Sequence, residues 1–132
     1  MTHGLRTFMT FQGGVATAAL DFYRDVFDDF ELIDIERYGP GEGATEDTVK
    51  VARFRLAGSE FSCADSPITH EWGFTPAVSL WIDCDDDAEL ERLFDGLSAG
   101  GQVYMPLADY GFSARFGWVG DPHGVTWQLN LS

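Results

Sequence analysis

Residues 121–131 read Asp-Pro-His-Gly-Val-Thr-Trp-Gln-Leu-Asn-Leu, a turn containing proline and glycine that leads into an alternating pattern. Apolar and polar residues alternate after the turn, and a period of two predicts a strand with one buried face. If the apolar residues face a helix, then Thr126, Gln128 and Asn130 face the other way, into a cavity or toward water.

A hairpin of the same kind lies earlier, where Phe61 follows Gly58 by three residues as Trp127 follows Gly124. Other stretches rich in β-branched or aromatic residues also predict strands. With the two hairpins included, the predicted strands are residues 5–12, 30–38, 49–56, 60–65, 76–83, 102–106, 113–119 and 125–131.

Two further stretches have the apolar spacing of a helix that packs on a sheet. Their apolar stripes are Ala16, Ala19, Leu20, Tyr23, Val26 and Phe27, and then Leu90, Leu93, Phe94 and Leu97. The acidic run 83–87 precedes the second helix and suits a helix start, with Asp85 as the predicted cap. The predicted order is therefore βαβββ twice.

This repeat indicates a duplicated module. We predict a single α+β domain over residues 1–132, with module 1 at about 5–66 and module 2 at about 75–132. The two modules are expected to form a cupped mixed sheet.

The 132 residues carry 8 basic and 22 acidic side chains, a formal charge of -14, which disfavours nucleic acids and anionic membrane surfaces as partners. The sequence has no apolar run long enough for a membrane helix, and its start does not resemble a signal peptide. We therefore expect a cytoplasmic protein. The acidity has three open explanations: a salt-rich cytoplasm, an ordinary acidic surface, or a groove for cationic ligands.

The cysteine and histidine residues are not arranged in a pattern typical of a catalytic site. Cys63 and Cys84 are too few for a disulfide framework and are expected to be buried, reduced thiols. The three histidines, His3, His70 and His123, lie at the start of the chain or in predicted loops, and no nucleophile–base spacing stands out.

Three groups of residues resemble a known superfamily in their order and spacing: ALDFY (19–23), FTPAVSL (74–80), and FGWV (116–119) with GVTWQL (124–129). They look like the vicinal oxygen chelate superfamily, which contains glyoxalases, bleomycin-resistance proteins and dioxygenases. Within it they resemble the PhnB-like subgroup labelled 3-demethylubiquinone-9 3-methyltransferase. The resemblance implies two modules around a ligand site, in a homodimer.

The resemblance also implies four inward metal ligands, usually His or Glu. In this sequence those positions correspond to Phe8, Ser62, Val78 and Gln128. Phenyl and isopropyl groups cannot ligate, and a neutral hydroxyl and one amide are poor ligands for a divalent ion. We therefore expect no metal and no other cofactor.

The four residues at the metal-ligand positions are also candidate ligand-binding residues, and three further residues are added to them here. Trp118 and Phe8 are either apolar walls of the site or part of the core. Tyr110, with Phe112, either forms a lid or lies at a dimer seam. Arg115 either binds an anionic group or pairs with Asp109 or Asp121.

The candidate ligand-binding set is thus Phe8, Ser62, Val78, Tyr110, Arg115, Trp118 and Gln128. We expect a protein that binds a small organic molecule without the usual metal site, with catalysis undecided. The alternatives are a metal-dependent isomerase, lyase or dioxygenase of the same fold, and an antibiotic-sequestering protein like those of bleomycin resistance. The Gly-rich stretch 39–43 precedes no amphipathic helix, so it does not favour methyl-donor binding.

Overall fold

The computed structural model describes residues 1–132 and contains two helices and eight strands. The elements are β1 (Thr7–Phe11), α1 (Ala16–Val26), β2 (Glu31–Arg37), β3 (Val49–Leu56), β4 (Ser59–Asp65), β5 (Leu80–Asp83), α2 (Asp87–Ser98), β6 (Gln102–Ala108), β7 (Arg115–Gly120) and β8 (Thr126–Leu131). The order βαβββ occurs twice, which confirms the predicted α+β class.

The chain divides into two compact units, Met1–Glu71 and Trp72–Ser132. Each unit has its own four-stranded mixed sheet, ordered β1-β4-β3-β2 in the first and β5-β8-β7-β6 in the second. The β1–β4 and β5–β8 pairs are parallel and the other neighbours are antiparallel. The two sheets thus have the same topology, as a duplicated module requires.

In the first unit, α1 covers one face of the sheet. The ring of Tyr23, fully buried, stacks on Phe54 at 6.4 Å between ring centroids, and Phe54 stacks on Phe61 at 5.4 Å. The buried carboxylate of Asp65 accepts hydrogen bonds from the backbone N–H of Ala16 at 2.9 Å and of Val49 at 2.8 Å. One side chain therefore joins the start of α1 to the start of β3.

In the second unit, α2 packs on the sheet through buried leucines, and β8 supplies buried Trp127 and Leu129 beneath it. Gly117 on β7 allows this close packing, because a Cβ there would lie 2.8 Å from the ring of Phe94. Phe94 belongs to α2, so Gly117 faces the helix, and its neighbours on β7 face the opposite side.

Two local predictions are corrected. Asp86, not Asp85, caps α2: its backbone is extended and its side chain accepts a hydrogen bond from Glu89 N at 2.8 Å. Strand β5 begins at Leu80 rather than residue 76, because residues 76 and 77 form a turn. Neither helix has the length and apolar character needed to cross a membrane.

Candidate functional site

Each sheet has one face covered by its helix and one open face. On the open face of the second unit, Phe116 is 3% exposed and is surrounded by three more aromatic rings. The centroid of the Phe116 ring lies 5.5 Å from Trp81, 6.0 Å from Tyr110 and 5.0 Å from Phe112. We call these four residues the aromatic cluster.

The outer rings of the aromatic cluster are accessible. Trp81 is 49% exposed, Tyr110 39% and Phe112 60%. The hydroxyl of Tyr110 donates to the carbonyl oxygen of Pro106 at 2.6 Å, which fixes this part of the β6–β7 loop against its own strand. The cluster is therefore a packed aromatic surface of which three rings remain accessible to solvent.

Sheet register explains why these side chains share a face. Residues paired across neighbouring strands point to the same side, and Gln128 is paired with both Trp81 and Trp118. Asn130 is likewise paired with Phe116 and with Asp83. The polar residues of β8 thus point away from α2, as their alternation predicts.

Polar groups at the edge of the aromatic cluster form a hydrogen-bonded set. The carboxylate of Asp83 accepts from Trp81 Nε1 at 3.0 Å and from Asn130 Nδ2 at 3.1 Å. These two hydrogen bonds, the Trp81 one first, hold the pKa of Asp83 below its usual value. Asp83 therefore presents a fixed negative charge beside exposed rings.

A second hydrogen-bonded group lies around Trp118. Its Nε1 donates to Ser79 Oγ at 3.1 Å, and Ser79 Oγ is 2.7 Å from Thr126 Oγ1. The ring of Trp118 lies 5.5 Å from Tyr104, with the two planes tilted. Trp118 is thus held by its neighbours on the open face, beside Gln128.

The open face of the first unit is polar by comparison. Phe8 is 54% exposed and is paired with Ser62, which is 1% exposed. Arg6 Nε donates to Ser62 Oγ at 2.8 Å, and Arg53 lies across from Ser62 on β3. Both guanidinium groups contact Glu60, at 3.7 Å from Arg6 and 2.8 Å from Arg53.

Two buried polar atoms lack a hydrogen-bond partner, and each belongs to one of the open faces. They are Arg53 Nε in the first unit and Asn130 Oδ1 in the second. Unsatisfied buried groups are costly, and they are rare in folded proteins. Each of the two open faces therefore contains one buried polar atom whose hydrogen-bonding capacity is unused within the chain.

The positions that the resemblance assigns to metal ligands do not fit a divalent ion. Phe8 and Ser62 are adjacent, but they offer a phenyl ring and a hydroxyl that already accepts from Arg6. In the second unit, Gln128 lies beside an indole ring and provides a single amide oxygen. No group of three His, Cys, Asp or Glu side chains comes together in either unit in a way that could hold a metal ion.

Two predicted site residues lie elsewhere than expected. Val78 is in the bend before β5 and is 82% exposed, so sheet register puts Trp81, not Val78, beside Gln128. Arg115 pairs with neither Asp109 nor Asp121; its Nη1 lies 2.7 Å from Asp87 and 2.9 Å from Glu91.

The partners of Arg115, Asp87 and Glu91, are on α2, so its guanidinium lies on the helix side of the sheet, away from the aromatic cluster. The hydrogen bonds that the guanidinium donates to Asp87 and then to Glu91 raise the pKa of Arg115 above its ordinary value. Arg115 therefore ties β7 to α2 through an ion pair.

The two cysteines are unsuited to nucleophilic or metal chemistry. Burial raises the pKa of Cys63 to about 12, and the nearby charge of Asp65 adds to this. Burial also raises the pKa of Cys84 to about 11. Both remain neutral thiols at physiological pH, as buried structural cysteines do.

A cleft of about 470 Å³ opens in the first unit. Its lining residues are Gly13, Gly14, Thr45, Thr48, Asp65, Ser66, Pro67, Ile68 and Thr69. At its edge Ser66 Oγ lies 2.7 Å from His70 Nε2. This pair was not predicted from the sequence. The only sequence feature that indicates it is the spacing of four residues between a serine and a histidine in a predicted loop.

Comparison with known proteins gives a consistent picture. The family model described as 3-demethylubiquinone-9 3-methyltransferase matches residues 3–130. In a solved structure, the PhnB protein from Bacillus cereus is 42% identical, covers 98% of this chain and 100% of its own, and superposes with a TM-score of 0.92.

Protein YjdN of Escherichia coli (strain K12) is 30% identical over 80 residues, which is 61% of this chain and 54% of YjdN. The match thus spans about half the length of that curated relative. A glyoxylase/bleomycin resistance protein/dioxygenase domain from Frankia sp. EAN1pec is 14% identical with a TM-score of 0.71, over 100% of this chain and 98% of that one, which shows the fold alone.

Proposed function

The chain belongs to the family described as 3-demethylubiquinone-9 3-methyltransferase, and from this membership we propose that it binds a small organic molecule on the open face of its second unit. The fold is that of the vicinal oxygen chelate superfamily. The observation that carries the proposal is the aromatic cluster, in which three accessible rings surround the buried ring of Phe116.

The physical argument rests on the cost of exposed aromatic surface. A ring left in water gives up the favourable free energy of burial, about 25 cal/mol per Å². Planar or apolar ligands recover part of that energy, and aromatic pairs add ~0.5–1.5 kcal/mol each. Gln128 and the unpartnered Asn130 Oδ1 add polar groups that orient such a ligand.

The proposal is one of binding and uses neither a metal nor a methyl donor. The side chains at the expected metal positions lack the donors that a divalent ion requires. The Gly-rich stretch 39–43 lies between β2 and β3, whereas dinucleotide and related cofactors use a glycine loop between a strand and a helix. The family description by itself therefore does not assign that reaction to this chain.

Titration with 1-naphthol, a neutral planar aromatic probe, tests the proposal by calorimetry. We expect saturable one-to-one binding to the wild type and at least ~10-fold weaker binding to Trp81→Ala, since a lost ring contact of about 1.4 kcal/mol is a factor of ten. Trp72→Ala is the matched control, because Trp72 is also exposed but lies outside the aromatic cluster. Equal weakening in both variants would refute the proposal.

A second candidate function is sequestration of a cationic drug. Asp83 places a carboxylate beside Trp81, and a cation over an aromatic face gains ~0.5–2 kcal/mol. A thermal-shift screen of cationic glycopeptides distinguishes the candidates, because a ligand that binds only the folded state raises the unfolding midpoint. A rise that Asp83→Asn abolishes supports sequestration.

We also propose that the protein forms a homodimer. Large apolar side chains remain exposed in both units, among them Phe8 at 54% and Phe112 at 60%. Such exposure is typical of surfaces that a partner covers. Sedimentation velocity tests the assembly, with an expected mass of twice the 14.6 kDa of one chain. A single species of one chain mass at micromolar concentration would contradict it.

A further inference from the structure

The loop that follows β4 holds a serine and a histidine in direct contact. Ser66 Oγ lies 2.7 Å from His70 Nε2, within the range of a strong hydrogen bond between a hydroxyl and a ring nitrogen. A serine hydroxyl that donates to a histidine nitrogen is the arrangement in which the imidazole removes the hydroxyl proton.

Both residues are held in place by contacts to the end of β1 and the residue after it. The backbone N–H of Ser66 donates to Phe11 O at 2.8 Å, and that of His70 donates to Gln12 Oε1 at 2.7 Å. Both residues are only partly exposed. The pair is therefore preorganised by the strand rather than by the loop alone.

The serine of the pair lines a cleft of the size of a small-molecule site. Ser66 lines the cleft of about 470 Å³, which is within the usual range for small-molecule sites. Gly13 and Gly14 also line the cleft, both with positive φ, and a Cβ on Gly13 would meet nothing within 4 Å. Because glycine has no side chain, the backbone at residues 13 and 14 is accessible from the cleft.

A hydrogen-bond donor is already next to the serine oxygen. The backbone N–H of Ile68 points to Ser66 Oγ at a long distance of 3.4 Å, and Ile68 also lines the cleft. Because this N–H group makes only a long hydrogen bond, it is available to donate to an ester carbonyl oxygen, which becomes negatively charged when Oγ attacks. The carboxylate of Asp65 does not compete for it, since its oxygens accept from Ala16 and Val49.

We propose that Ser66 and His70 form a nucleophile–base pair that accepts acyl groups from small esters in this cleft. Oγ attacks the ester carbonyl while His70 Nε2 takes the hydroxyl proton, and the bond to the leaving alcohol breaks as Nε2 returns the proton to it. Water then cleaves the acyl-serine, so that ester and water give acid and alcohol. This site lies in the first unit and does not depend on the ligand site proposed above.

An alkyl fluorophosphonate tests the pair directly, because it forms a stable bond between serine Oγ and phosphorus with loss of fluoride. We expect intact-mass spectrometry of the wild-type protein to show one added phosphonyl group, and peptide mapping to place it on Ser66. Hydrolysis of p-nitrophenyl acetate should occur above background and disappear in the labelled protein. Absence of labelling, or a label on another residue, would overturn the proposal.

His70→Gln separates base catalysis from simple positioning, since the glutamine oxygen still accepts a hydrogen bond but does not act as a base. We expect the labelling rate to fall by ~100-fold or more, the usual contribution of a general base. His123→Gln, at a histidine in the other unit, is the matched control and should label like the wild type. Equal labelling rates for His70→Gln and the wild type would rule out the pair.

Discussion

In each unit, one buried carboxylate joins segments that are separate along the chain. The side chain of Asp121, 5% exposed, accepts from His123 N at 2.8 Å, from Val125 N at 3.2 Å and from Trp127 Nε1 at 2.9 Å. In the first unit, Asp65 accepts from backbone N–H groups at the starts of α1 and β3. Hydrogen bonds to charged groups contribute ~1.5–3 kcal/mol, which explains why acidic side chains occur inside these cores.

The two thiols make stability depend on pH in the alkaline range. Their pKa values are raised by burial from 9.0 to about 12 for Cys63 and about 11 for Cys84. Above pH ~9 the unfolded chain loses thiol protons that the folded chain keeps. We therefore expect the free energy of unfolding to fall between pH 9 and 11, by up to ~1.4 kcal/mol per pH unit for each thiol.

Urea unfolding at pH 8, 9, 10 and 11 measures this slope. The double variant Cys63→Ala/Cys84→Ala is the control, because it keeps every other titrating group. It starts from a lower stability, yet its alkaline slope should be shallower than that of the wild type. Parallel slopes in the two proteins would show that the thiols ionise equally in both states.

At the level of elements, the start of α2 is defined by reciprocal hydrogen bonds. Asp86 accepts from Glu89 N at 2.8 Å, and Glu89 Oε1 accepts from Asp85 N at 3.1 Å. The first contact satisfies one of the amide groups that a helix start leaves without partners, and the second satisfies the N–H group of the residue before the cap. Residues 85–87 of the acidic run thus form the helix start, as predicted, although the capping residue differs by one and Asp83 belongs to β5.

Asp86→Ala should lower the free energy of unfolding by ~1 kcal/mol, the usual value of a lost N-cap. Chemical denaturation gives the measurement. Asp85→Ala removes the same charge one residue earlier but no capping contact, so it should change stability by only a few tenths of a kcal/mol. A larger loss in Asp85→Ala than in Asp86→Ala would contradict the assigned cap.

The connection from α2 to β6 requires glycine at position 101. A Cβ on Gly101 would lie 2.0 Å from the carbonyl oxygen of Gly120, and this neighbour is backbone that cannot rotate away. We expect Gly101→Ala to destabilise the protein by at least ~3 kcal/mol or to prevent folding. Thermal unfolding followed by circular dichroism measures the effect. Gly73→Ala, where a Cβ meets nothing within 4 Å, should melt like the wild type.

For the whole molecule, charge is the dominant feature. Against 22 acidic side chains the chain has 8 basic ones, and most of these are already paired, such as Lys50 with Glu42 at 2.9 Å and Arg53 with Glu60 at 2.8 Å. The formal charge of -14 therefore produces a net electrostatic repulsion between side chains, and this repulsion is stronger in the compact folded chain than in the unfolded chain.

Salt should stabilise the protein by screening this repulsion. Between 10 mM and 200 mM KCl the screening length falls from about 30 Å to below 10 Å, and we expect the unfolding midpoint to rise by roughly 4 °C. Glu46→Gln/Asp95→Asn removes two exposed charges and should show a smaller rise. A midpoint that is the same in low and molar KCl would refute adaptation to a salt-rich cytoplasm.

The candidate site was predictable only in part. The alternation of β8 correctly put Gln128 on the side away from the helix, whereas only the sheet register shows that Trp118 lies beside it. Trp81 was not among the predicted site residues, because a single tryptophan in a short strand gives no periodic pattern. Arg115 was assigned to the wrong partners because its acidic neighbours on α2 are distant in sequence.

The sequence by itself determined the order of elements and most of the buried stripe of the two helices and of β8, because the periods of helix and strand are local properties of the chain. Tertiary structure alone decided which residues meet: Trp81 is paired with Gln128 across 47 positions of sequence, and Arg6 with Ser62 across 56. Such contacts follow from strand register, which depends on how a whole sheet packs against its helix rather than on any short stretch of residues.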